Sequence, residues 1–276
     1  MNESKLVAMN DYFQTATRAA RESGRIIKDQ FGKLKEITFK GRINPVTDVD
    51  LKSEKAIIDI IRSRFPDHDI ITEESQLALS GSPYRWIIDP LDGTVNYSHD
   101  YPVVAVSVAL EIQGTVEIGI VYNPIREEYF HAVKGQGAYM NDEPIHVSKI
   151  DTLEKSLLAT GFPYEIRERP DNNLAQFNRL IMKTEGIRRD GSAALNLAYT
   201  AMGRCDGYWE IIISPWDIAA GTLLVTEAGG KVTDLEERPL SIYKNQVVSS
   251  NGHIHSELVE ELQKARTIPV SSDKPL

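Results

Sequence analysis

The chain has 276 residues, 41% of them apolar and 26% charged, enough for one large domain or two closely packed halves around a substantial core. Its 31 basic and 40 acidic residues leave a net charge of −9, which argues against a nucleic-acid-binding surface. The one cysteine, Cys205, excludes an internal disulfide and a cysteine-rich zinc site, and it suits a reducing compartment.

Residues 1–30 mix Glu, Lys, Asp and Arg, so neither a secretory signal nor a spanning segment is read there, and a cytoplasmic location is expected. Phe13, Ala16, Ala20, Ile27 and Phe31 share one helical face, predicting an amphipathic helix over about 5–31 that stops at Gly32. Residues 33–47 read as a basic strand or loop containing Lys40 and Arg42, with a break at Asn44-Pro45. A second helix is expected to start near Asp50, because Ile57, Ile61 and Phe65 recur every four residues before Pro66. Either Asp48 or Asp50 can be its N-cap.

Ile70–Thr72 predicts a short strand that ends in Glu73-Glu74. Trp86, Ile87 and Ile88 predict a buried strand that ends at Asp89, where Pro90 holds the chain extended. Asp92-Gly93 makes a turn and Thr94 can open a helix. Two carboxylates three residues apart thus leave a strand end beside the amides of Gly93 and Thr94. Carboxylates gather Mg²⁺, and amides at a helix N-terminus hold phosphate.

From 103 to 140 the pattern is an antiparallel meander: Val103–Glu111, Thr115–Tyr122, Glu128–Val133 and Gly137–Met140, with Gln113-Gly114 as a hairpin turn. Asn141 to Pro144 reads as a turn, Leu157–Thr160 as a strand, and 161–170 as loop. Leu174, Phe177 and Ile181 predict a helix within 171–184. Ser192 can cap a helix running to Met202, just after an Arg pair able to grip phosphate. Gly207–Glu210 predicts a strand. Ser214 reads as an N-cap with Pro215 at the first helical position, which puts Asp217 in the first turn, where the dipole also favours an acid. Gly229-Gly230 ends that helix. Strands at 230–233 and 246–249, a helix at 253–264 and a frayed tail at 269–276 complete the chain. The six histidines show no metal-ligand spacing.

The stretch from Arg85 to His99 resembles the first signature of the inositol monophosphatase family of Mg²⁺-dependent, lithium-sensitive phosphatases. The resemblance continues in Ile71-Thr72-Glu73-Glu74-Ser75, in Pro215-Trp216-Asp217-Ile218-Ala219-Ala220-Gly221 and in Glu227-Ala228-Gly229-Gly230. It implies an α+β fold, a layered αβαβα sandwich of the sugar phosphatase type. One domain would span 1–276, built from two intimate halves of about 1–150 and 151–268. It implies two or three Mg²⁺ ions. Glu73, Asp89 and the Leu91 carbonyl would hold the first, and Asp89, Asp92 and Asp217 the second. Glu73 and Thr94 would orient the attacking water, with Asp50 rather than Asp48 behind Thr94. Asp92, Gly93, Thr94, Arg188, Ala194, Glu210 and Asp217 would contact substrate, Glu210 through polyol hydroxyls.

A homodimer is expected, acting on a small phosphorylated polyol or sugar without membrane or nucleic acid. Inositol-1-monophosphatase is the leading activity. A fructose 1,6-bisphosphate or 3′-phosphonucleotide phosphatase is the alternative within the same superfamily. A non-catalytic scaffold would need a gap in the ligand set, and every ligand position is filled.

Overall fold

The computed structural model describes residues 3–33, 37–39 and 45–266. Lys40, Arg42 and the tail at 269–276 lie outside the described residues. Helix α1 (Glu3–Gln30) leads to a short antiparallel pair, β1 (Ile37–Phe39) and β2 (Pro45–Thr47), and then to α2 (Asp48–Arg64). Strands β3 (Asp69–Thr72) and β4 (Tyr84–Asp92), the five-residue helix α3 (Thr94–Ser98), and strands β5 (Ala105–Ile112) to β6 (Thr115–Asn123) follow. Strands β7 (Glu128–Val133), β8 (Ala138–Met140) and β9 (Glu143–Ile145) finish a seven-stranded sheet of order β3-β4-β5-β6-β7-β8-β9. Only its β3–β4 pair is parallel.

The rest of the chain is β10 (Leu157–Thr160), α4 (Leu174–Leu180), β11 (Gly186–Arg188), α5 (Ala193–Ala201), β12 (Gly207–Ile211), α6 (Pro215–Glu227), β13 (Lys231–Thr233), β14 (Gln246–Ser250) and α7 (His255–Arg266). A second, five-stranded sheet has the order β11-β10-β12-β14-β13.

Strand alternation sorts the side chains into layers. Trp86, Ile88, Val106 and Val108 face α1 and α2, packing on Ala16, Ala20, Ile57 and Ile61. Ile87, Ala105 and Ala109 face the other way, onto Ala194 and Leu197 of α5 and Ala219 and Ala220 of α6. The same helices rest on Ala159, Tyr208 and Val247 of the second sheet. Leu158, Trp209 and Val248 pack outward on Leu180 of α4 and on Leu258 and Leu262 of α7. The fold is therefore α+β, with five layers in the order αβαβα. Small residues let the central layer sit close. A Cβ on Gly119 would stand 2.7 Å from the Ala220 carbonyl, and one on Gly221 would stand 2.5 Å from the Leu197 Cβ.

Several boundaries differ from expectation. Neither Asp48 nor Asp50 caps α2. Thr47 does, and Asp50 at the third helical position returns a bond to the Thr47 amide at 2.8 Å. Strand β4 runs past Asp89 to Asp92. The 141–144 turn is only Asn141-Asp142, both at positive φ, and it folds β9 back on β8. Among the described residues no helix is long and apolar enough to cross a membrane.

Candidate active site

One cleft between the two sheets is lined by Glu73 after β3, Asp89 and Asp92 on β4, and Asp217 in the first turn of α6. In a regular strand, residues three apart point to opposite faces. The β4–β5 register slips between Asp89 and Asp92, around Pro90, which has no N–H to offer the ladder. That slip turns both carboxylates into the cleft.

Each aspartate has one oxygen tied to the fold. Leu91 N donates to Asp89 Oδ1 at 2.9 Å. The Ser192 hydroxyl and the Ala194 amide donate to Asp92 Oδ2 at 2.6 and 2.8 Å. Ser214 N donates to Asp217 Oδ2 at 2.8 Å, the side-chain half of a capping box. Each carboxylate keeps lone pairs for a ligand. Burial, then the neighbouring acids Glu73, Asp92 and Asp217, raise Asp89 well above the ordinary carboxylate range. Burial, then Asp92 and Glu73, do the same to Asp217. Burial lifts Asp92 to about 6 despite its donors. Such a cluster stays charged only when cations offset it.

Whether these residues suit a metal depends on their donors. They offer oxygen alone, the set that hard divalent cations prefer. Asn196 adds a buried Oδ1 in the same cleft with no hydrogen-bond partner. Among the described residues no three acidic, histidine or cysteine groups are already drawn into a metal cage. The acids share a cleft rather than a closed coordination sphere, and the chemistry of the donor set fits a cation.

Beside the acids, the Thr94 hydroxyl lies 3.0 Å from Asp50 Oδ1 and 3.1 Å from the Leu91 carbonyl. Asp50 is 1% exposed, whereas Asp48 pairs with Lys52 at the surface, so Asp50 is the one that reaches Thr94. Gly93 precedes α3 at φ +93°, and no side chain caps that helix end. Its amides are left for an anion. A Cβ there would lie 2.8 Å from the Val103 carbonyl, so only glycine fits.

Glu210 enters from the end of β12. The Tyr208 hydroxyl donates to its Oε2. Burial lifts Glu210 to about 7, with Asp92 adding to the rise and the Tyr208 hydroxyl and then Arg189 opposing it. A Cβ on Gly161 would sit 2.0 Å from Glu210 Oε2. Gly161→Ala should therefore displace the Glu210 carboxylate, a side-chain end that can give more readily than backbone, and leave the fold intact. The expected result is a raised KM with Tm changed by under about 2 °C, the scale of ~0.5 kcal/mol in a chain this size. An unchanged KM would mean that Glu210 does not touch substrate.

Two expected substrate contacts, Arg188 and Ala194, are not among the residues that line the cleft. Arg188 is the last residue of β11, paired with Ala159, and Arg189 is among the residues that line the cleft. The Ala194 amide is taken up by Asp92, and Ala193 lines the cleft instead. Asn196 and Tyr208 drew no attention in the sequence. Only a helix register from Ser192 would have turned Asn196 toward the cleft.

A model of the family described as the inositol monophosphatase family matches residues 9–267. An inositol-1-monophosphatase of Synechocystis is 45% identical over 256 residues, covering 92% of this chain and 89% of that protein. A Pasteurella multocida protein named Nus factor SuhB is 42% identical over 259 residues, covering 92% of this chain and 97% of that protein. The solved structure of an inositol monophosphatase from Anabaena superposes with a TM-score of 0.86 at 42% identity, over 96% of this chain and 100% of that one.

Proposed function

The chain belongs to the inositol monophosphatase family and is a phosphatase, and from that premise we propose that it hydrolyses a phosphorylated polyol, myo-inositol monophosphate first, with Mg²⁺. The observation that carries the polyol reading is Glu210, a carboxylate in the same cleft as the four acids and the uncapped α3 amides. Phosphate offers no hydroxyl donors in its ionised form, so an acid there favours a hydroxyl-rich leaving group.

Glu73, Asp89 and the Leu91 carbonyl would hold one Mg²⁺, and Asp89, Asp92 and Asp217 a second. Bound there, Mg²⁺ supplies Lewis acidity and lowers the pKa of water. Thr94 donates a hydrogen bond to Asp50 and accepts one from the attacking water, Glu73 takes the proton that this water loses, and the leaving alkoxide takes a proton from solvent. Asp50 keeps its acceptor role because Thr47 also donates to it, although burial raises its pKa. The Gly93 and Thr94 amides cradle the phosphoryl oxygens. Arg189, the cation near Glu210, borders the leaving alcohol. Inhibition by Li⁺, a homodimer and a cytoplasmic location belong to the same reading.

The test is phosphate release from inositol monophosphate, fructose 1,6-bisphosphate and 3′-phosphoadenosine 5′-phosphate, with and without EDTA. EDTA should abolish turnover and Mg²⁺ restore it, with the inositol ester preferred. Full activity in metal-free protein would remove the metal from the reading. Preference for the nucleotide would replace the polyol.

A further inference from the structure

Helix α2 carries two buried carboxylates one turn apart, and the chemistry above uses only Asp50. The other is Glu54, 3% exposed. At this spacing both point to one side of the helix. Glu54 Oε2 accepts from the Thr72 hydroxyl at 2.7 Å and from the Glu74 amide at 3.0 Å. Its Oε1 accepts from the Ser75 hydroxyl. These donors lie immediately before and after Glu73. A buried carboxylate with both oxygens engaged fixes a turn far more firmly than neutral bonds would.

We infer that Glu54 is a positioning residue for Glu73, holding the 72–75 turn so that the Glu73 carboxylate meets the cation in the cleft. The inference rests on the metal reading proposed above. It makes α2 the common mount of two parts of the site. Asp50 steadies Thr94, and Glu54 steadies Glu73, four residues further along one rigid helix. Glutamine keeps the shape of Glu54 but removes its charge, and its NH₂ could face Ser75 only if that hydroxyl turned round to accept.

The fold supplies a comparator. Asp69 is also 3% exposed and holds the far end of the same connection, accepting from Ser80 N, Gly81 N and Ser82 N at 2.7, 3.1 and 3.0 Å. It does not flank Glu73. A merely structural role for Glu54 would make the two carboxylates equivalent.

The experiment titrates Mn²⁺ into chelator-treated full-length wild type, Glu54→Gln and Asp69→Asn, reading free Mn²⁺ by electron paramagnetic resonance. Tm and the Mg²⁺ dependence of phosphate release are recorded alongside. Glu54→Gln should bind cation about 10–100-fold more weakly, the usual scale for losing a partner that orients a metal ligand. Its kcat at saturating Mg²⁺ should return to within a few-fold of wild type. Asp69→Asn should lower Tm and leave cation affinity unchanged.

Wild-type affinity in Glu54→Gln, or equal losses in both variants, would overturn the inference while leaving the metal reading intact. No Mn²⁺ binding by wild type would overturn the metal reading and this inference with it. Should Glu54→Gln not fold, Thr72→Val and Ser75→Ala each remove one donor. Each should weaken Mn²⁺ binding, and no weakening in either overturns the inference.

Discussion

Asp89→Asn lowers the rate of phosphate release by a factor of about 10² or more at saturating Mg²⁺, while the chain stays folded. The substitution keeps the shape of the residue proposed to bridge two ions and removes its charge. The bond from Leu91 N survives if the amide oxygen takes the Oδ1 position. The effect on metal-free stability has the opposite sign. Burial and the acids around it raise the folded-state pKa of Asp89 above its unfolded value of about 3.9. Stability from such a group is fully present below the unfolded pKa and is lost as pH rises through the folded one. Asparagine never ionises and avoids that loss. In EDTA, Asp89→Asn should therefore melt above wild type at pH 8, with a smaller difference at pH 4. About 2–4 °C per kcal/mol relieved is the scale for large domains. Phosphate release and thermal melts at both pH values check the two halves. An unchanged rate would remove Asp89 from the ligand set, and an equal gain at both pH values would show that charge is not the cause.

The parts of the site that were legible in the sequence are those set by one local pattern. Ser214, Pro215 and Asp217 spell a helix start, and the structure forms it, with the acid serving both the cap and the cleft. Gly93 and Thr94 spell a turn into a helix, and α3 opens there. The run Trp86-Ile87-Ile88 spells a strand buried on both faces, and the structure packs Ile87 on one side and Trp86 and Ile88 on the other, whereas the layer order came from the family resemblance. What stayed hidden depends on strand parity and distant pairing. The slip in β4 that gathers Asp89 and Asp92 exists only against β5. Strand β11 is three residues long and pairs parallel to β10, so nothing nearby says which of Arg188 and Arg189 meets the cleft. Glu54 looks like a solvated helix residue until the 72–75 turn folds over it.

Glu210→Gln tests the substrate class. A carboxylate here can accept hydrogen bonds from two adjacent hydroxyls, whereas an amide accepts at one atom and donates at the other. The loss on inositol monophosphate should be about 1.5–3 kcal/mol, the range for a hydrogen bond to a charged group, or roughly 10- to 150-fold in kcat/KM. It should appear mainly in KM. An aryl phosphate, which lacks those hydroxyls, should lose little. The Tyr208 hydroxyl can still donate to the amide oxygen, so the Gln variant keeps its seat in the cleft. The pH dependence has a definite sign. Burial lifts Glu210 to about 7, so its full acceptor capacity is present above that value and is lost as pH falls through it. The wild-type advantage on the inositol ester, taken relative to the aryl ester to cancel substrate ionisation, should therefore be larger at pH 8 than at pH 6. Equal losses on both esters would assign Glu210 to the metal site or the fold. No loss on either would leave the polyol reading without the residue that carries it.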